Sequence, residues 1–458
     1  MNSYIIASTK KSSGKTIISI GISAVLKSMN KNISVFKKGP DYIDPIWLSL
    51  ASKTSCYNLD FYTMTKSEIK KLFLSKSSTS EVAIVEANKG LFDGLSLDGS
   101  DSNAALAKFL NLNVILVLDC SGTTRGIVPL IKGYKSFDNK VKYKGLILNN
   151  INGTRHEDKI LKAINFYTDF KVIGSVWKNT KLKISEQHLG LQPVFVEKNY
   201  NKIIKDIHSV IKSSVDIHSL CNTHKIKEKK SIIKTKQSLK YSHLSIGIAR
   251  DEAFGFYYLD DLEALINSGI KIKYFNTLKD SKVPNVDAIF IGGGFPELVA
   301  SKLSKNIKMM QSIKNFIELD KPAYAECGGL MYLSKAIKFK SKVYKMSGVI
   351  DGIISVKQKP VGRGYVNLEA TNKHPWMQKS KSIFCHEFHY SDISLVKNKY
   401  KFAYKILRGY GIDQKHDGIL YKNLLASYSH IRDTKQSRWI ENFLKFIDKK
   451  YYETKTNI

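Results

Sequence analysis

Tyr4-Ile5-Ile6-Ala7-Ser8-Thr9-Lys10-Lys11-Ser12-Ser13-Gly14-Lys15-Thr16 decides the fold of the first half of the chain. A short apolar run, Tyr4–Ala7, enters a polar loop, and helical spacing takes over from Lys15 to Met29. A loop between a first strand and a first helix presents backbone amides and the positive end of the helix dipole to an anion. Gly14 lets the backbone approach closely, Ser13 and Lys15 face the phosphates, and the Thr16 hydroxyl suits Mg²⁺. Thr9 replaces the first glycine of the usual pattern. The Gly-Lys-Thr triplet alone also fits an ordinary turn, so its strand–loop–helix setting is what selects the phosphate reading.

Outward from this loop, strand and helix patterns alternate. Ile33–Phe36, Val82–Glu86, Val114–Asp119 and Gly145–Asn149 read as strands, with helical spacing at Asn103–Leu110 and Ile127–Phe137. Such alternation predicts a parallel sheet with helices on both faces. The series ends near Asp216, and a Lys-, Ser- and Thr-rich stretch follows. Residues 1–221 therefore read as one domain, 222–243 as a linker, 244–450 as a second domain and 451–458 as a polar tail. The second domain repeats the α/β alternation: strands Leu244–Ala249, Ile270–Phe275, Ala288–Ile291 and Ala323–Ala325, helices Leu259–Asn267 and Ile307–Leu319. Its last third turns to short strands, closing on a helix from Trp439 to Tyr451.

The formal net charge of +33 invites a nucleic-acid reading, but only seven of the 73 basic residues are Arg. Base and phosphate readers lean on Arg for bidentate contacts. Lys spread along the chain describes a solvated surface, or one that steers a polyanionic substrate. Five scattered cysteines without a C-x-x-C pair argue against a disulfide framework and a structural zinc site. With no membrane-length apolar run and no export signal, the expectation is a soluble, cytoplasmic protein with neither nucleic-acid nor membrane partners.

Acidic residues downstream of the phosphate loop supply what a metal–nucleotide centre needs. Glu86 ends a strand at the carboxyl edge, where ligands bind in such sheets. Asp41, Tyr42 and Asp44 lie in Lys37-Lys38-Gly39-Pro40-Asp41-Tyr42-Ile43-Asp44-Pro45, whose Gly and two Pro predict a loop. Asp93 sits in Gly90-Leu91-Phe92-Asp93-Gly94. Thr16, Glu86 and Asp41 read as metal ligands, and Asp41, Tyr42, Asp44 and Asp93 as acceptor-positioning residues. Asn149, at a strand end, reads as a contact to the nucleotide base or as a plain turn.

In the second half, Tyr324-Ala325-Glu326-Cys327-Gly328-Gly329-Leu330 places a cysteine between a strand and a helix start. A turn of this kind exposes the sulfur at a helix N-terminus and favours thiolate. His430, in Ala426-Ser427-Tyr428-Ser429-His430, reads as its base, with His386 and His389 as alternatives. His386-Glu387-Phe388-His389 is one residue too short for a zinc-protease helix pair. Gly293 and Gly294, from Gly292-Gly293-Gly294-Phe295, join Gly328 as donors to a developing oxyanion.

One half can bind ATP and Mg²⁺, and the other can open an amide through a thioester. Together they describe glutamine hydrolysis whose ammonia amidates an ATP-activated carboxylate. The chain resembles the cobyrinic acid a,c-diamide synthase family along nearly its whole length. Besides the stretches already quoted, the match rests on His188-Leu189-Gly190-Leu191, Ala249-Arg250-Asp251-Glu252-Ala253-Phe254 and Gly292 through Leu298. The resemblance implies a dethiobiotin synthetase-like first domain and a triad-type glutamine amidotransferase domain lacking its acidic third member. It implies Cys327 as nucleophile, His430 as activator, ATP and glutamine as substrates, Mg²⁺, a tetrapyrrole polycarboxylate as acceptor, and allows a homodimer.

Three departures bear on the acceptor. Glu86-Ala87-Asn88-Lys89-Gly90 stands where the family has Glu-Gly-Val-Met-Gly, Arg432 replaces a second His, and Cys385 stands where Gly is common. The Asn-Lys-Gly variant and Asp98–Leu106 resemble a relative that amidates siroheme, so cobyrinate, hydrogenobyrinate and siroheme all stay open. A partition-type ATPase switch is the competing class, since Lys10 falls at its signature lysine. Such switches are shorter and lack a cysteine elbow.

Overall fold

The computed structural model describes residues 1–182, 199–221, 238–396 and 400–456, with isolated positions 184, 186, 187, 190, 191 and 197. It divides into two compact units, Met1–Ile233 and Lys234–Ile458. Most of the expected linker, 222–237, and the His188-Leu189 pair lie outside the described residues.

The first unit is built on seven strands: β1 (Asn2–Ser8), β2 (Ile33–Lys38), β3 (Cys56–Leu59), β4 (Val82–Glu86), β5 (Asn113–Asp119), β6 (Tyr143–Ile151) and β7 (Val172–Trp177). They form a parallel sheet of order β3-β2-β4-β1-β5-β6-β7. Both β2 and β4 are buried along their whole length, as a sheet covered on both faces requires. Because β1 lies between β4 and β5, the loop leaving Ser8 is flanked by the strand ends Glu86 and Asp119. Helix α1 (Lys15–Ser28) then starts behind Gly14.

The expected loop at 41–45 needs correction. Helix α2 spans Ile43–Ser52 and includes Asp44 and Pro45 in its first turn. Proline is tolerated there because the amide it lacks would have no intrahelical acceptor. The helix Lys66–Ser77 carries a readable start signal, the reciprocal Thr65–Glu68 capping box.

The second unit holds a nine-stranded sheet of β8 (Ser245–Ala249), β9 (Lys271–Phe275), β10 (Ala288–Ile291), β11 (Ala323–Glu326), β12 (Gly362–Ala370), β13 (Ser382–His389), β14 (Lys401–Arg408), β15 (His416–Tyr421) and β16 (Leu424–Ser427). The order is β9-β8-β10-β11-β16-β15-β14-β12-β13. Pairing is parallel from β9 to β16 and antiparallel beyond it. A four-stranded sheet of Ser334–Phe339, Lys342–Lys345, Ile350–Val356 and Ser391–Leu395 adds to one core, with Phe254, Leu303 and Ile313. A second core gathers Leu262, Tyr324, Trp439 and Phe443. Cys385 is buried there, which accounts for its tolerance as a small apolar group.

The expected tail is also corrected: the last helix continues from Trp439 to Thr456. Ion pairs Lys449–Glu453 and Lys450–Glu453, with Lys455 over the Tyr451 ring, support its final turns. Among the described residues, no helix is long and apolar enough to cross a membrane.

Candidate active sites

In the first unit, the phosphate loop is folded around its own lysine. Lys15 is 8% exposed, and its ammonium donates to Ser8 Oγ at 2.8 Å and to the Lys10 carbonyl at 3.3 Å. Burial, then the nearby Lys37 charge, lowers its pKa to about 8. Gly14 has φ 88°, and a Cβ there would fall 2.2 Å from Asn149 Nδ2. That amide donates to the Ser13 carbonyl at 3.0 Å, so Asn149 braces the phosphate loop.

Thr16 points to the carboxylates. Its hydroxyl donates to Glu86 Oε1 at 2.7 Å and lies 3.5 Å from Asp44 Oδ2. Lys37, fully buried, donates to the same two oxygens, at 2.8 Å to Glu86 and 2.5 Å to Asp44. Burial works against the Lys37 charge, but Asp44 and Glu86 outweigh it and hold the pKa well above the ordinary value. Burial raises Glu86, whereas the Lys37 ammonium overcomes burial at Asp44 and lowers it. Asp41 stands apart from Thr16: its Oδ1 accepts from the Ile43 and Asp44 amides at the start of α2, and its Oδ2 lies 3.9 Å from Lys37. Of the acidic residues expected around Thr16, Glu86 and Asp44 lie beside its hydroxyl, and Asp41 lies at the start of α2.

These residues fit a small divalent ion bound together with phosphates. Glu86 Oε2 is buried with no hydrogen-bond partner among the described residues, and Thr16 donates its hydroxyl to the other oxygen of the same carboxylate. Among the described residues, no group of three or more His, Cys, Asp or Glu side chains forms a cage of its own. An Mg²⁺ ion needs none, because it takes one or two carboxylates and fills its shell with phosphate oxygens and water. Asp93 closes the neighbouring turn through the Gly90 amide (2.8 Å), and the Leu91 amide bonds the Ser8 carbonyl at 2.7 Å. Tyr42 precedes the first helical residue of α2. Lys10 is paired with Asp119 at 3.2 Å.

The second centre is made by backbone. Cys327 sits between β11 and the helix Gly328–Leu333 with φ 46° and ψ −98°, a conformation that L-residues hold only under constraint. Its amide donates to the Ser427 carbonyl at 2.7 Å, extending the parallel pairing of β11 with β16. His430 follows three residues after β16 and lies against the triple glycine: a Cβ on Gly293 would fall 2.4 Å from His430 Cε1. A Cβ on Gly328 would meet the Gly294 amide nitrogen at 3.0 Å. Gly293, Gly294, Gly328, Cys327 and His430 therefore converge at one sheet edge.

The thiol differs from expectation. Cys327 is 6% exposed, and burial, followed by the Glu297 and Glu326 charges, pushes its pKa up. A six-residue helix does not offset that desolvation, so the thiol is held in its protonated form. The His386 ring stacks on His430 with centroids 5.0 Å apart, and its Nδ1 meets the Tyr258 hydroxyl at 3.1 Å. Burial, then His430 and Arg432, holds His386 well below the usual range. His389 instead binds the Ser391 carbonyl (2.7 Å) and stacks on Tyr428.

Three acidic residues here escaped the sequence reading. Asp417, fully buried, accepts from the Tyr428 and Ser429 amides (3.0 and 2.9 Å) and so fixes the segment leading to His430. Glu297 is raised to about 7 by burial, and its Oε2 is buried with no hydrogen-bond partner among the described residues. Glu326 ends β11, and its Oε2 lies 3.4 Å from His430 Nδ1. Only Glu326 carried a signal, its adjacency to the elbow cysteine.

Known proteins match both halves. Residues 4–191 match the model of the CobQ/CobB/MinD/ParA nucleotide binding domain, and residues 245–436 that of the CobB/CobQ-like glutamine amidotransferase domain. The cobyrinate a,c-diamide synthase of Magnetococcus marinus is 38% identical, the alignment covering 96% of each chain. That of Caldanaerobacter subterraneus is 36% identical over 96% of this chain and 97% of its own. That of Picrophilus torridus is 38% identical over 97% and 98%. The nucleotide model alone also spans partition-type ATPases, but the amidotransferase match and the end-to-end relatives leave no room for a bare switch. The chain belongs to the cobyrinate a,c-diamide synthase family.

Proposed function

We propose that the protein uses ATP and glutamine to convert the a and c acetate side chains of cobyrinate to amides, one ATP and one glutamine per amide. The observation that carries this reading is a phosphate loop and a cysteine elbow in one chain whose likeness to cobyrinate a,c-diamide synthases runs end to end. Residues 1–221 act as the ATP-dependent amidoligase and the unit from 244 onward as the amidotransferase.

In the first domain, the Ser13, Gly14 and Lys15 amides and the Lys15 ammonium bind the phosphates of ATP. Thr16, Glu86 and Asp44 would hold Mg²⁺, which supplies charge neutralisation on the polyphosphate. Asp41, Tyr42 and Asp93 orient the acceptor. A substrate carboxylate oxygen attacks the γ-phosphorus and ADP leaves, giving an acyl phosphate. Ammonia then attacks the acyl carbon and phosphate leaves as the amide forms.

In the second domain, His430 takes the Cys327 proton while sulfur attacks the glutamine amide carbon. Backbone N–H groups at Gly293, Gly294 and Gly328 receive the developing oxyanion. His430 returns the proton to departing ammonia, and water then cleaves the thioester to glutamate.

The test offers cobyrinic acid, hydrogenobyrinic acid and siroheme to purified protein with ATP, Mg²⁺ and glutamine, and weighs the products. The expected product is cobyrinic acid a,c-diamide. Diamidation of siroheme alone would favour a second reading, motivated by Asn88-Lys89-Gly90, and sedimentation of the same preparation reads the homodimer that belongs to the proposal.

A further inference from the structure

We propose that Glu326, the residue immediately before Cys327, is the acidic partner that orients His430, so that the second centre is a complete Cys–His–Glu arrangement. This rests on the reading of Cys327 and His430 as nucleophile and base. The geometry follows from pairing: β11 ends at Glu326, opposite Ser427 of β16, so the nucleophile and the segment leading to the base leave one sheet edge together. Glu326 Oε2 lies 3.4 Å from His430 Nδ1, and both side chains are buried. The other oxygen is anchored twice, by the Tyr324 hydroxyl at 2.7 Å and the Ile431 amide at 3.0 Å. One oxygen is thus tied to the nucleophile's own strand and to the residue after His430, and the other faces the imidazole.

A carboxylate at Nδ1 keeps the proton on that nitrogen and leaves Nε2 as the acceptor for the thiol. It also stabilises the imidazolium that forms once the thiol is deprotonated. A contact of 3.4 Å is an ion pair longer than a formed hydrogen bond, and such contacts tighten in substrate complexes.

The neighbouring charges are committed elsewhere. Arg432, two residues past His430, cannot accept an imidazole proton; its Nε and Nη2 bind Asp260 Oδ2 at 2.9 and 2.7 Å. Asp417 is occupied by the Tyr428, Ser429 and Gly418 amides. The acid comes from the strand that carries the nucleophile, and the replacement at 432 leaves it in place.

Glu326→Gln keeps the shape and an accepting carbonyl but removes the charge. Its glutaminase kcat should fall by ~10²–10⁴-fold, with KM for glutamine within about threefold. Glu326→Asp should recover part of the rate. If Glu326→Gln does not fold, Tyr324→Phe, which frees Oε1 from its hydroxyl partner, should lower kcat by about tenfold at unchanged KM. A folded Glu326→Gln with kcat within threefold of the parent overturns the proposal. So do equal losses in the Gln and Asp variants accompanied by a lowered unfolding midpoint, and a folded Tyr324→Phe with unchanged kcat. Cys327→Ala, assayed alongside, separates the two levels: if it keeps glutaminase activity, the site reading fails before Glu326 is at issue.

Discussion

The phosphate-loop centre holds an ammonium between two carboxylates, whereas the cysteine elbow sets a buried thiol among carboxylates and leaves it protonated. In the first centre, Lys37 bridges Asp44 and Glu86 at hydrogen-bond distance. Breaking a buried pair by removing one partner costs about 3–5 kcal/mol, so that constellation is fixed by charge. In the second, Cys327 is fixed by a strained backbone and by glycines that allow His430 and the Gly294 amide close approach. The difference teaches where each centre is vulnerable: the first to changes of charge, the second to changes of backbone and of proton position.

The comparison breaks most sharply at Cys327. Cys327→Ala should lower glutamine-dependent amidation by ~10⁴-fold or more while amidation driven by added ammonia persists, because phosphate activation belongs to the other domain. Parallel assays with the two nitrogen sources check this; loss of both in a folded variant would mean the chemistries are not separable.

Next in size, Lys15→Ala should lower amidation from either nitrogen source by ~10³-fold while glutaminase activity continues. Rates with glutamine and with ammonia, beside glutamate release, read the outcome. Near-normal amidation would remove the phosphate-loop assignment.

Glu86→Gln and Asp44→Asn should each cost ~10²-fold in amidation rate, more than they cost in ATP affinity, because Lys15 and the loop amides still hold the phosphates. They sharpen the comparison by asking whether charge, at nearly constant shape, governs this centre. Asp41→Asn, which touches the amides of α2 rather than Thr16, should cost less. Titrating Mg²⁺ in each variant checks the order.

The smallest effect is in pH. With a pKa lowered to about 8, the Lys15 ammonium is lost as pH rises through that value. ATP prefers the charged form, so affinity should weaken by about tenfold between pH 7.5 and 9 and binding near pH 8.5 should take up protons. Calorimetry in buffers of different protonation enthalpy measures the uptake. The Cys327 centre faces no such ammonium loss, so its glutamine binding should not share this proton uptake.

Much of this was legible in the sequence, and what escaped has physical reasons. Strands such as Val82–Glu86 were readable because buried parallel strands are continuous apolar runs, and the phosphate loop because its residue types are dictated by an anion. The start of α2 was hidden because proline signals a break yet is harmless in a first helical turn. The approach of Asp44 to Thr16 and Lys37 was hidden because it depends on the helical geometry of α2, which a stretch read as loop does not reveal. The elbow was readable from Glu326-Cys327-Gly328-Gly329, but its thiol was misjudged because burial depends on the surrounding sheet. Glu326 stood next to the elbow cysteine, but its partner segment lies about a hundred residues away, and Asp417 was missed because its partners are on the next strand and no local spacing announces it.

The central claim is that one chain activates a carboxylate by phosphorylation and supplies its nitrogen from glutamine. Cobyrinic acid labelled with ¹⁸O in its carboxylates, turned over with ATP and amide-¹⁵N glutamine, tests both halves at once. The account predicts ¹⁵N in both new amides and one ¹⁸O delivered to inorganic phosphate for each amide formed. Amides carrying ¹⁵N with no ¹⁸O in the phosphate would contradict it.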